Sequence, residues 1–166
     1  MTTILGIPVA LYGYLSAQQS SRVDRVFEFY KNFRDTNQED DVNLLVGKFN
    51  AVSDEVQKLV SNNDQAGLLK LEASLLQDAK VDAALSRVVV FFDAVGPCVK
   101  HSLCDADAVV ALLQYPAQQI VSTYGKYVSS LQQPGSSFGT GIFIVNEIPT
   151  TPKTWSWYFW PGRSTS

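Results

Sequence analysis

The chain has 166 residues, of which 46% are hydrophobic and only 17% are charged, and its formal net charge is −3. This length suits a single domain with one hydrophobic core. The small negative charge provides no field that would attract a polyanion, so a nucleic-acid partner is excluded from the expected functions.

An apolar N-terminal segment is predicted for residues 1–20, because Thr2–Ser21 carries no charge. Its apolar run, Ile4–Leu15, is interrupted by two glycines and a proline, whereas a membrane-spanning helix needs about 20 apolar residues. No Lys or Arg precedes the run, as a signal peptide would require. We expect an extended segment that packs on the core, with interfacial insertion or a short anchor as alternatives.

Residues 21–133 are predicted to form a helical bundle domain. Ser21 and Asp24 resemble a capping box at the start of the first helix. Its apolar residues recur every three or four positions: Val23, Val26, Phe27, Tyr30 and Phe33. A second helix is predicted over 42–60, where the apolar residues fall in one stripe. The sequence SNND at 61–64 predicts a turn and a cap before a short Leu-rich third helix.

The fourth predicted helix covers 81–103 and has an apolar face opposite a narrow polar stripe. The residues of this polar stripe are Asp82, Ser86, Asp93 and Lys100. Pro97 removes one helical hydrogen bond and therefore predicts a kink. Asp105 is predicted to cap a fifth helix, which continues to Leu131 and bends at Pro116, since the apolar phase is kept across that proline.

The composition changes in the region 134–166, which starts with a Gly/Ser-rich linker. Gly141–Glu147 and Thr154–Trp160 are rich in β-branched and aromatic residues, which predicts two strands. The predicted fold is therefore mainly α. It is an up-and-down type bundle of about five helices, two of them kinked at Pro97 and Pro116, with a small C-terminal β-hairpin or an extended aromatic tail.

The aromatic tail contains all three tryptophans of the chain. Alternate residues of a strand point to opposite faces, so both faces of this segment would carry rings and the bundle could cover only one of them. Two exposed rings already form a patch of the size that marks an interface. We therefore predict a binding surface, with completion of the core as the alternative. The predicted binding residues are Trp155, Trp157, Tyr158, Phe159 and Trp160.

Cys98, His101 and Cys104 form a C-x2-H-x2-C pattern of residue types that bind zinc. On a continuous helix the two cysteines are separated by about 9 Å of rise, whereas two thiolates on one zinc ion lie within about 4 Å of each other. A metal site would need the helix to end near His101 and fold back. The preferred interpretation is a pair of small buried thiols, with metal binding and thiol redox chemistry as alternatives.

The two cysteines provide no disulfide framework, which favours a reducing compartment and a cytoplasmic location, with membrane association left open. Any histidine general base must be His101, the only histidine of the chain. Its acid partner would be Asp93 or Asp105, and the nucleophile would be Cys98 or Cys104. No P-loop, dinucleotide-binding or metalloprotease motif accompanies them, and no cofactor is predicted.

The segment Val81–Leu113 resembles a family of uncharacterised small bacterial helical proteins, which often carry an N-terminal membrane anchor. The resemblance follows a leucine, an aromatic-acidic pair, a small-apolar pair and an acidic turn, in this order: Leu85, Phe92-Asp93, Ala94-Val95 and Asp105. Ser86 stands where the family has asparagine. The resemblance implies a helical fold and an anchor at the N-terminus, and it implies no reaction.

The sequence thus predicts a non-catalytic helical interaction protein. It would bind a partner protein, another copy of itself or a membrane surface through its aromatic C-terminal segment. The alternative function is a small enzyme or a ligand- or metal-binding bundle, with a site near Pro97 formed by Asp93, Cys98 and His101.

Overall fold

The computed structural model describes residues 6–150, with side chains from Tyr14 onward. This part of the chain is a helical bundle without strands, so the mainly α prediction is confirmed. Its helices are α1 (Gly6–Asp35), α2 (Gln38–Asn50), α3 (Ser53–Ser61), α4 (Gln65–Leu75), α5 (Ala79–Lys100), α6 (Ala106–Leu112), α7 (Gln114–Leu131) and α8 (Thr140–Asn146). Helix α5 is central, and it packs most extensively on α8 and α2.

The predicted apolar face of the fourth helix forms the centre of the core. Its buried side chains on α5 include Ala84, Leu85, Val88, Phe91, Phe92 and Val95. Helix α1 covers this face through Phe33, whose ring centroid lies 5.2 Å from that of Phe91. Tyr124 of α7 is also fully buried, and its hydroxyl donates a hydrogen bond to the Leu45 carbonyl at 3.0 Å.

Helix α1 differs from the sequence prediction at its N-terminal end. It begins at Gly6 and continues through Ser21 without a break, so the predicted cap at Ser21 and the extended N-terminal segment are wrong. Pro8 lies in the first turn of α1, where its missing N–H has no helical acceptor to lose. Among the helices of residues 6–150, none combines the length and apolarity that crossing a membrane requires.

The predicted second helix is divided into α2 and α3. The backbone leaves the helical region at Val52, with φ −112° and ψ 20°. Asp54 and Glu55 then stand in the first turn of α3, where carboxylates favour a new helix start. No side chain of α3 is buried, because this helix packs on α4 at the edge of the bundle. The apolar stripe of the predicted second helix therefore extends beyond the part of it that is buried in the core.

The SNND segment acts as predicted at the start of α4. The backbone N–H of Gly67 donates to Oδ1 of Asp64 at 2.8 Å, which satisfies one of the unpaired donors of the first turn. The predicted turn and cap are confirmed.

The predicted fifth helix is also divided, and the break precedes Pro116. Helix α6 ends at Leu112 and α7 begins at Gln114, with Leu113 between them at φ −124°. Pro116 is the third residue of α7, where a helix needs no backbone donor, so the proline starts a helix instead of bending one. The predicted cap at Asp105 is confirmed, since its Oδ1 accepts the Ala108 N–H at 2.8 Å.

The predicted strand at Gly141–Glu147 is wrong, because residues 140–146 form α8. Ile142 and Val145 of α8 are fully buried against the bundle, so tertiary contacts override the strand preference of a β-branched sequence. The second predicted strand lies outside the described residues. The five-helix count and the C-terminal hairpin are therefore not supported.

Candidate functional site

Asp93, a predicted acid partner of His101, caps the N-terminus of α8. Its carboxylate oxygens accept the backbone N–H groups of Gly139 at 2.8 Å and of Gly141 at 2.7 Å. The first N–H groups of a helix have no intrahelical acceptor, and a carboxylate also suits the positive end of the helix dipole. Asp93 therefore fastens α8 to α5, and both of its oxygens take part in this contact.

Two glycines allow α5 and α8 to approach each other at this cap. A Cβ atom on Gly96 would lie 2.4 Å from the Cα of Gly141, and one on Gly141 would lie 2.0 Å from the carbonyl oxygen of Phe92. Only glycine fits such an approach. Gly139, the N-cap of α8, has φ 74°, which also favours glycine. The segment predicted as a linker is thus a docking motif for α8.

Gln114 holds the other end of α8, and sequence reasoning missed it. Its buried side chain on α7 donates from Nε2 to the carbonyl of Ile148 at 2.7 Å and more weakly to that of Asn146 at 3.4 Å. Asn146 is the last residue of α8 and Ile148 lies two residues beyond it, so this amide binds the chain where the helix ends. The available signal was a glutamine within the apolar run VVALLQYP. That signal does not identify a partner more than 30 residues away.

Cys98 and Cys104 form a disulfide with a Cα–Cα distance of 5.2 Å, which overturns the interpretation as two thiols. A helix that continued to Leu103 would keep the two cysteines apart, but α5 ends at Lys100. The chain then reverses through Ser102, which has φ 55°. Disulfide sulfurs are not the thiolates that bind zinc. Within the described residues, no group of three His, Cys, Asp or Glu side chains is arranged to hold a metal ion.

His101 follows the last residue of α5, and its side chain is not brought together with the other predicted site residues. Its backbone N–H bonds to the Pro97 carbonyl at 2.9 Å, and its side chain is exposed. Asp93 lies about 12 Å away along the helix axis and faces α8, while Cys98 is in the disulfide. The structure does not bring these three residues together as acid, base and nucleophile. Pro97 lies inside α5, and its predicted kink stays a prediction.

Two buried carboxylates bind groups on neighbouring helices, and neither was predicted from the sequence. Asp41 of α2 accepts two hydrogen bonds from Arg87 of α5, at 2.8 and 2.6 Å, and this pairing raises the pKa of Arg87. Glu72 of α4 accepts the backbone N–H of Tyr127 of α7 at 2.8 Å. Burial raises the pKa of Glu72, and burial also raises the pKa of Tyr124 to about 12. The two carboxylate contacts hold α2 on α5 and α4 on α7.

Three open grooves lie along the described part of α1, and two of them are also lined by residues of other helices. The first of these two, of about 390 Å³, is lined by residues of α1, α2, α6 and α7, including Tyr30, Phe33 and Tyr115. The second, of about 410 Å³, is lined by four residues of α1 and by Cys98 of α5. The four α1 residues are Arg25, Glu28, Phe29 and Asn32. We call this second space the disulfide groove.

The N-terminal arm, residues 14–20 of α1, carries exposed apolar side chains. Every residue of 14–20 is exposed, and Tyr14 and Leu15 retain 65% and 53% of their accessible surface. Gln19 contacts the rest of the bundle, since its Nε2 donates to Oδ2 of Asp105 at 2.5 Å. The arm therefore presents uncovered apolar surface. The predicted binding residues Trp155, Trp157, Tyr158, Phe159 and Trp160 lie outside the described residues.

The chain matches no family model, no curated protein and no solved structure. The resemblance of Val81–Leu113 to small bacterial helical proteins therefore stays a prediction. Two of its residues have structural roles here, since Asp93 caps α8 and Asp105 caps α6.

Proposed function

We propose that the protein is a non-catalytic helical interaction protein, which binds a partner protein, another copy of itself or a membrane surface. The observation that supports this proposal best is the exposed apolar surface of Tyr14 and Leu15 on the N-terminal arm. The first charged residue of the chain is Arg22, so this arm has no charge to keep it hydrated. Exposed apolar surface of this kind favours contact with another molecule or with a lipid interface.

The aromatic tail is the second proposed contact of this function. Its five aromatic side chains fall within six positions, and Trp and Tyr are enriched in interface hot spots and at the membrane–water boundary. In this proposal Trp155, Trp157, Tyr158, Phe159 and Trp160 recognise the partner. The helical bundle is the scaffold from which both contacts extend.

The alternative function, an enzyme or a ligand-binding site near Pro97, has less support. Each of its three residues has a different position or role: Asp93 caps α8, Cys98 is oxidised, and His101 is exposed. No contact among the described residues favours this second candidate.

The mass of the full chain in solution tests the proposal. Self-association gives a mass above 18.3 kDa, and the mass falls when Trp157 and Trp160, or Tyr14 and Leu15, are replaced in pairs by serine. Val90→Ser is the matched control, because Val90 is 60% exposed on α5 and belongs to neither proposed contact. An oligomer that only the Val90 variant disrupts contradicts the proposal.

If the full chain is monomeric in solution, binding to membranes is tested next. The protein then cosediments with vesicles of phosphatidylcholine and phosphatidylserine, and the two paired serine variants remain in the supernatant. A monomer that binds neither vesicles nor, in a crosslinking screen, any protein through these two segments overturns the proposed function.

A further inference from the structure

The turn that joins α5 to α6 is closed by a short covalent ring. The Cys98–Cys104 disulfide joins residues six positions apart. Inside this ring the backbone N–H groups of Leu103 and Cys104 both donate to the Cys98 carbonyl, at 2.8 and 3.0 Å. We call residues 98–105 the disulfide turn. The ring constrains the backbone of residues 98–104, and Asp105 follows the ring directly.

The disulfide turn holds α1 in place through polar contacts. The Asp105 N–H donates to the Arg22 carbonyl at 3.4 Å, and Arg25 Nη1 donates to the Leu103 carbonyl at 3.3 Å. Gln19 adds a bond to the Asp105 carboxylate. These hydrogen bonds are long or exposed, so each one contributes little by itself. Their joint strength depends on a turn that keeps its shape.

The two cysteines differ in their exposure to solvent. Cys98 is half-buried and lines the disulfide groove, whereas Cys104 is buried with 4% of its surface accessible. Exchange depends on which sulfur an incoming thiolate can reach. Arg25 lines the same groove with a positive charge that attracts a thiolate, and Glu28 opposes it with a negative charge. The attack is therefore directed to Cys98.

We propose that the Cys98–Cys104 disulfide is a thiol–disulfide exchange site for a dithiol reductant, and that its reduction releases α1 from the disulfide turn. One thiolate of the dithiol attacks Cys98, the Cys98–Cys104 bond breaks, and Cys104 leaves as a thiolate that takes up a proton. The second thiol of the reductant then attacks its own sulfur in the mixed disulfide and releases Cys98 as a thiol. Two electrons pass from the dithiol, which becomes a disulfide.

Reduction leaves the core of the bundle folded and loosens the contacts between the disulfide turn and α1. A disulfide stabilises a protein less when it closes a short loop, and this ring spans few residues. The core face of α5 and its contacts with α8 lie outside the ring. The hydrogen bonds that Gln19 and Arg25 donate, and the one that the Arg22 carbonyl accepts, lose a fixed partner. The exposed N-terminal arm therefore becomes more mobile. This response to reduction goes beyond the proposed binding function, and it can be absent while that function holds.

Reduction and hydrogen exchange of the intact chain test the release of α1. Dithiothreitol under native conditions converts the protein to a form that takes up two alkyl groups from iodoacetamide. Amide exchange in residues 19–28 then rises by about tenfold or more, while exchange in 81–95 is unchanged. A protein purified with two free thiols, or reduction that requires a denaturant, overturns the proposal. Reduction without any change in 19–28 overturns it as well.

Matched charge variants test the site of attack. The anionic thiol 2-mercaptoethanesulfonate forms its first mixed disulfide on Cys98, as peptide mapping locates it. Arg25→Gln slows this reaction severalfold and Glu28→Gln accelerates it, since the two side chains line the same groove with opposite charges. An adduct found first on Cys104, or two variants that react at equal rates, contradicts directed attack at Cys98.

Discussion

Helix α8 and the N-terminal half of α1 show how little the length of a helix says about how firmly it is held. Helix α8 has 7 residues and α1 has 30. Yet α8 is capped at one end by Asp93 and at the other by Gln114, and its Ile142 and Val145 are fully buried. Residues 14–20 of α1 are all exposed. Packing and caps, rather than helix propensity, decide local stability.

The largest expected effect is at the close contact of α5 and α8. Gly141→Ala would place a Cβ atom 2.0 Å from the Phe92 carbonyl oxygen, so one of the two helices must move. We expect a loss of about 3 kcal/mol in the free energy of unfolding, measured by urea denaturation. Gly47→Ala is the matched control, because a Cβ atom there meets nothing within 4 Å. This control stabilises α2 by about 0.5–1 kcal/mol. Equal effects of the two substitutions contradict the close packing of α8.

The next effect is the loss of the cap on α8. Asp93→Ala leaves the N–H groups of Gly139 and Gly141 without their acceptors, which costs about 2 kcal/mol of unfolding free energy. Asp93→Asn retains one acceptor oxygen, so it lowers the free energy of unfolding by about half as much. Asp82→Ala, at an exposed position of the same polar stripe, changes stability by less than about 0.5 kcal/mol. A cost for Asp93→Ala as small as that for Asp82→Ala would rule out the capping role.

A pH-dependent effect is expected at Glu72, which joins α4 to α7. Burial raises the pKa of Glu72 above its ordinary value of 4.5. The folded state therefore keeps this proton to higher pH than the unfolded chain, and this group's contribution to stability falls as pH rises through the raised pKa. Glu72→Gln keeps an acceptor for the Tyr127 N–H and removes the titration.

The measurement for Glu72 is the stability difference between the variant and the wild type as a function of pH. Between about pH 4 and about pH 7 this difference shifts in favour of Glu72→Gln. The control is Glu55→Gln, at an exposed position of α3. A shift in the opposite direction contradicts the burial of the charged form.

The smallest effect on stability is expected in the N-terminal arm. Replacing Tyr14 and Leu15 together by serine changes the free energy of unfolding by less than about 0.5 kcal/mol, because both side chains are exposed in the folded chain. Urea denaturation of the double variant measures it. A loss of 2 kcal/mol or more would mean that the arm packs on the bundle.

Local signals in the sequence predict much of the bundle. The apolar face of α5 and the caps at Asp64 and Asp105 depend on residues close in the chain, and all are found. The strand prediction at Gly141–Glu147 failed because the helix there depends on Asp93 and Gln114, which local composition cannot reveal.

The candidate site was predicted less well, for the same reason. Whether Cys98 and Cys104 can approach each other depends on where α5 ends. The residue order alone did not reveal the reversal at Ser102 that joins the two sulfurs. Distant pairings such as Asp41 with Arg87 leave no periodic trace in the sequence.

Native-state amide hydrogen exchange compares the two regions directly. The account predicts that the N–H of Gly141, a buried residue that donates to the Asp93 carboxylate, exchanges only on global unfolding. The amides of residues 14–20 exchange at least about a hundredfold faster. Fast exchange at Gly141, together with protection of residues 14–20 equal to that of α5, would contradict the account of a fastened α8 and an exposed N-terminal arm.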